Sequence, residues 1–145
     1  MAHIMEIEGI ADIKRAMKMA KSELGDGQRK GLIRGGLYLQ GKSQEVVPVE
    51  YGTLKASAGT EAIGRSWWTD VVVYYTASYA VYVHEVVRRK SKIEGQEGKL
   101  VKHKPGKMAK FLETPARRYR QFILMKISGE MEKHMKYVRS FKGTK

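Results

Sequence analysis

The run Ser66-Trp-Trp-Thr-Asp-Val-Val-Val-Tyr-Tyr75 constrains the fold more than any other part of the chain. Almost every residue in it is β-branched or aromatic, the types that suit a pleated, half-buried surface. Successive residues of a strand point to opposite faces. One face therefore holds Trp67, Thr69, Val71, Val73 and Tyr75, bulky enough to floor a core. The other holds Trp68, Asp70, Val72 and Tyr74, and Asp70 marks it as half-exposed or covered by a partner. A central strand over 66–75 is predicted, with Trp68 on the side left free for an interface. Stacking of nucleobases on the tryptophans is the less favoured alternative.

Helical spacing dominates the flanks. Ile10, Ile13, Met17 and Leu24 recur on one face from Gly9 to Leu24, with Gly25 a natural stop. Asp26 is placed to cap a second helix running to about Val46, ended by Pro48. Gly31, Gly35, Gly36 and Gly41 weaken that helix by about 1 kcal/mol each against alanine, and close approach of another backbone is their simplest use. A weaker strand is expected over Leu54–Ile63, with Gly64 turning into the central strand. Tyr79, Tyr82, Val83 and Val86 fit two helical turns, although strict alternation also fits them. Thr114-Pro115 opens a long C-terminal helix, threonine capping and proline at the first position. Its apolar face is Ala116, Tyr119, Phe122, Ile123, Ile127, Met131 and Val138, and its other face is basic.

The expected architecture is α+β in a single domain of 145 residues: two N-terminal helices, a small antiparallel sheet, a long basic loop, and a long C-terminal helix packed on the sheet. Residues 1–8 form a tail, 9–87 the helices and sheet, 88–107 a mobile basic loop, and 108–139 the C-terminal helical region. There is no cysteine, hence no disulfide framework or thiolate metal site. No apolar run has the length of a membrane span and no secretory signal pattern is present, so a soluble cytoplasmic protein is expected.

The net charge of +13 is distributed unevenly. Residues 1–87 carry ten basic and ten acidic side chains, whereas residues 88–145 carry 18 basic and five acidic. Such a field favours an acidic partner, nucleic acid or a negative protein surface. The loop is the densest part, with Arg88, Arg89, Lys90, Lys92, Lys99, Lys102, Lys104 and Lys107 against Glu94 and Glu97. These eight cations, with Trp68, are the candidate interface or DNA-facing residues. The loop reads as an assembly arm ordering on a neighbouring subunit, an acidic connector or DNA; a plainly solvated loop is the alternative.

Motifs for catalysis are weak. Gly36-Leu-Tyr-Leu-Gln-Gly41-Lys42-Ser43 matches the phosphate-loop pattern, but no strand precedes it and Pro48 arrives too soon for the helix it should open. His84-Glu85 begins a zinc-protease pattern whose second histidine position is Arg88. Gly95-Gln-Glu-Gly98 resembles a backbone clamp for RNA but lacks basic residues at its centre. No catalytic residue, cofactor or metal ligand is expected.

Three further segments occur in a telling order. Val47-Pro48-Val49-Glu50-Tyr51-Gly52-Thr53-Leu54-Lys55-Ala56-Ser57 is similar to a V-P-V-D-T-G-x-L-R/K-x-S turn, with Glu50-Tyr51 in place of Asp-Thr. Tyr79-Ala80-Val81-Tyr82-Val83-His84-Glu85 is similar to Y-A-x-Y-V-E/H-E, with Val86 where glycine often follows. Lys110-Phe111-Leu112-Glu113-Thr114-Pro115-Ala116 is similar to an apolar lead-in to a C-terminal helix. Together, across roughly Gly31–Leu124, they resemble the tail-completion or neck proteins of tailed bacteriophages, the minor tail or head–tail joining components. The resemblance implies a non-enzymatic structural subunit in a homo-oligomeric ring, hexameric by analogy, between the portal or adaptor complex and the tail, with DNA passing through. It implies a place in the virion after assembly in the host cytoplasm. A small basic nucleic-acid-binding protein is the alternative that the charge alone supports.

Overall fold

The structure, a computed structural model, describes residues 10–48, 52–65, 68–85 and 106–140. The α+β class stands: a long N-terminal helix, a two-stranded antiparallel sheet and a long C-terminal helix. In chain order the elements are α1 (Ile10–Val46), α2 (Thr53–Ala56), β1 (Ala58–Ile63), β2 (Asp70–Tyr75), α3 (Ala80–Glu85), α4 (Glu113–Arg118) and α5 (Arg120–Ser140).

The expected break at Gly25 does not occur. One helix of 37 residues, about 55 Å long, replaces the two N-terminal helices. Tertiary packing overrides glycine's poor helix propensity here, because Gly27, Gly31 and Gly35 lie four residues apart on the face that receives α5. A Cβ on Gly27 would stand 2.9 Å from the Cβ of His134, and one on Gly31 would stand 2.7 Å from the backbone oxygen of Ile127. Gly36 meets the sheet instead, at Val71 and Thr60. Thus α1 is the shared wall of the fold, with strands on one side and α5 along another. Its first turns extend past this packing, so Ile13 and Met17 are exposed rather than part of a core.

Alternation is kept in the sheet. Thr69, Val71, Val73 and Tyr75 turn inward, while Trp68, Asp70, Val72 and Tyr74 are exposed. The pairing runs from Ala58 opposite Tyr75 to Ile63 opposite Asp70. The strand is shorter than the sequence pattern predicts. It begins at Asp70, because Trp68 N–H donates to the Arg65 carbonyl at 3.2 Å in a turn that Gly64 makes possible. Gly64 has φ +91°, and a Cβ there would lie 1.9 Å from the Trp68 carbonyl oxygen. Both facts demand glycine. Likewise the first strand begins at Ala58, not Leu54. Gly52, at φ 76°, starts a single helical turn whose Ser57 N–H returns to the Thr53 carbonyl at 3.0 Å.

The segment at 80–85 is helical, as its i, i+3, i+4 spacing suggests. At the C-terminal end, Leu112 rather than Thr114 precedes the helix, and Pro115 falls inside the first turn, where a missing N–H costs nothing. The helical path has a joint at Tyr119, with φ −101° and ψ 15°, and α5 starts one residue later.

Candidate assembly surface

Among the described residues the buried interior is small. Val47, Leu54, Ala80 and Phe111 form its buried cluster, ringed by Val46, Tyr75, Ala77, Val83 and Leu112. Phe111 is 1% exposed and takes the edges of two rings, Tyr75 at 4.9 Å and His84 at 5.0 Å between centroids. Backbone bonds tie the strip after Gly106 into place: Met108 N–H donates to the Val46 carbonyl and Lys110 N–H to the His84 carbonyl. Lys110 sits at φ 55°, an uncommon conformation for a residue with a side chain. Its ammonium holds Glu85 at 2.5 Å and Glu113 at 3.5 Å, and His84 Nδ1 lies 2.8 Å from the same Glu85.

The Lys110 hydrogen bond, followed by that of His84, holds the Glu85 carboxyl below its ordinary value. A carboxylate whose folded pKa is depressed adds stability above its unfolded pKa, and that stability is lost as pH falls through the folded one. We expect the urea midpoint of the native chain to drop more between about pH 5 and pH 3 than that of Glu85→Gln. Parallel curves for the two proteins would show that the pair contributes nothing.

Among the described residues, many large apolar side chains are exposed. The outer sheet face shows Ile63, Val72 and Tyr74, the last folded across Gly59, and Trp68 beside it is 87% exposed. Glu61 and Asp70 supply the charge on that face. On α3, Val81 is 74% exposed and Tyr82 partly so, as is Tyr79 just before the helix. On α5, Phe122, Leu124 and Met125 are uncovered, so Phe122 lies at the rim rather than in the apolar face assigned to it from spacing. Exposed apolar side chains of this kind mark docking sites only where they join into larger patches.

Of the candidate interface residues, Trp68 and Lys107 fall within the described structure. Trp68 projects as the alternation requires. Lys107 donates through Nζ to the Glu45 carbonyl at 2.8 Å, closing the strip onto the end of α1. Arg88, Arg89, Lys90, Lys92, Lys99, Lys102 and Lys104 lie outside the described residues. What sequence reasoning missed is the junction of α1 with α4 and α5. There Lys42 stands 6.0 Å from the ring of Tyr38 and 5.5 Å from that of Tyr119. The signal was the spacing of Arg34, Tyr38 and Lys42, four residues apart on one helix face.

The Gly36–Ser43 segment is helical throughout, so its amides are spent on α1 and form no phosphate cradle. Lys42 pairs with Glu45 at 2.7 Å, and buried Ser43 shares a hydrogen bond of 2.7 Å with the Tyr75 hydroxyl. Among the described residues no cluster of metal-ligating side chains occurs, and no helix is long and apolar enough to cross a membrane. Compared with protein families, curated proteins and solved structures, the chain matches none.

Proposed function

We propose that this chain is a structural subunit of the neck of a tailed bacteriophage, forming a ring that joins the portal complex to the tail and lets DNA pass. The observation carrying this reading is the meeting of the three motif segments. Val47 and Leu54 come from the first, Ala80 from the second and Phe111 from the third, and together they make up the buried cluster. Segments that define a fold must meet in its core, whereas unrelated chance similarities need not.

The surface supports the same reading. The outer sheet face joins apolar side chains to Glu61 and Asp70, while α5 joins Leu124 and Met125 to a basic field. Two unlike faces of opposite charge suit head-to-tail contact, which closes into a ring when the rotation permits. On this reading the protein acts in the virion after assembly in the host cytoplasm, without catalysis or cofactor.

Native mass measurement with negative-stain imaging tests it. Closed cyclic rings are expected at high concentration, and Trp68→Ser combined with Val72→Glu is expected to leave folded monomers. Monomers that persist even with connector and tail partners present would overturn the ring.

A further inference from the structure

The α1–α5 seam holds a row of cations interleaved with aromatic rings. Arg34, Tyr38 and Lys42 follow one another at four-residue steps, spanning about 12 Å along α1. Facing them, Lys126 Nζ lies 5.9 Å from the Tyr38 ring centre and the Arg118 guanidinium lies 5.8 Å from that of Tyr119. The Tyr38 and Tyr119 rings meet edge to face at 6.1 Å, and Phe122 continues the row 6.3 Å from Tyr119. The row also has acidic members: Lys133 and Arg34 flank the Glu130 carboxylate one turn further along, and Glu45 lies 2.7 Å from Lys42, a partner that a phosphate on Lys42 would displace. At the other end the row opens into a hollow of about 530 Å³ lined by Lys110, Glu113, Thr114, Arg117 and Arg118. Glu113 is already paired there with Arg117 at 2.7 Å.

We infer that this seam is a binding site for single-stranded nucleic acid, with phosphates on Lys42, Arg118 and Lys126 and a base stacked on the exposed ring of Phe122. A groove of positive charge with aromatic side chains beside it is what such strands require, since every base has a π-face and every linkage a charge. An acidic protein segment would use the cations but leave the half-exposed Phe122 ring without a matching partner. A duplex would offer phosphates but keep its base faces stacked. The hollow is shallow and open, and it shares Arg118 with the seam, so a strand held on Arg118 continues across it. This inference does not depend on the ring reading, since an isolated subunit can show it.

Fluorescence anisotropy with a labelled oligothymidylate of about 12 nucleotides, within the usual site size, measures the binding. Arg118→Glu with Lys126→Glu is compared with Lys14→Glu with Lys18→Glu, an equal charge change on the exposed first turns of α1. The seam pair is expected to weaken binding at least tenfold and to lower the slope of log affinity against log salt by about 1.4, the share of two phosphates on a single strand. The control pair should change affinity less than threefold. Phe122→Ser, which alters no charge, should cost about fivefold or more with the salt slope unchanged. Equal losses from the seam and control pairs would overturn the site in favour of diffuse attraction. An unaffected Phe122→Ser, with duplex or poly-glutamate competing as well as the single strand, would overturn the nucleic-acid assignment and identify a purely anionic or acidic-protein surface.

Discussion

Replacing Phe111 by alanine is expected to remove about 3–5 kcal/mol of stability, the range for deleting a buried aromatic ring. Domains of this size have about 5–15 kcal/mol in all, so the variant should sit close to its unfolding transition at physiological temperature. The size of the effect follows from how little else is buried among the described residues. Phe111 closes the cluster of Val47, Leu54 and Ala80, and its ring is the surface on which Tyr75 and His84 rest. Its loss also loosens the strip pinned by Met108 and Lys110, since those backbone bonds hold α1 and α3 to the same segment. Denaturant titration followed by circular dichroism measures the change. Phe111→Leu, which retains part of the volume, should lose distinctly less. A loss below about 1 kcal/mol for the alanine variant, the scale of a surface substitution, would mean that the three segments do not share this core.

The sheet was legible in the sequence because period-two alternation is a local signal that packing reinforces. Trp68 through Tyr75 carries it without interruption, and burial follows it residue by residue. The start of that strand was not legible. Trp68 has the side chain of a strand residue, yet its carbonyl is held against Gly64 in a turn, a constraint that involves backbone positions rather than residue type. The continuity of α1 was hidden for a related reason. Gly25 looks like a stop, and only the approach of α5 to Gly27 and Gly31 explains why a helix rich in glycine persists there. Phe122 illustrates the limit for the binding surface. It lies one and five residues from Ile123 and Ile127, the side chains that pack on α1, so the helix turns it away from them to the rim. The cations around Tyr38 and Tyr119 run from Lys42 to Lys126, 84 positions apart, and no short window of sequence contains them together.

Two alanine substitutions in α1 are expected to act with opposite sign although helix propensity treats them alike. Replacing an interior helical glycine by alanine gains up to about 1 kcal/mol from propensity, part of it from the less flexible unfolded chain. Gly41 is exposed and a Cβ there meets nothing within 4 Å, so Gly41→Ala should stabilise by about 0.4–1 kcal/mol. At Gly31 the added carbon would stand 2.7 Å from the carbonyl oxygen and 3.2 Å from the Cα of Ile127. Those atoms are backbone and cannot rotate away, so α5 itself must shift. Overpacking of this kind costs about 1–3 kcal/mol, which exceeds the propensity gain and leaves Gly31→Ala destabilised. Gly35 falls between the two, since its nearest neighbours are Ile127 Cγ1 at 3.1 Å and Ile123 Cγ2 at 3.2 Å, side-chain atoms able to give way. The order of stability should therefore be Gly41→Ala above Gly35→Ala above Gly31→Ala, read as denaturation midpoints at fixed m-value. If Gly31→Ala instead gains as much as Gly41→Ala, α5 does not lie against this stripe. The seam that brings Lys42, Lys126 and Tyr119 together would then not exist as described, because it rests on the same helix contact.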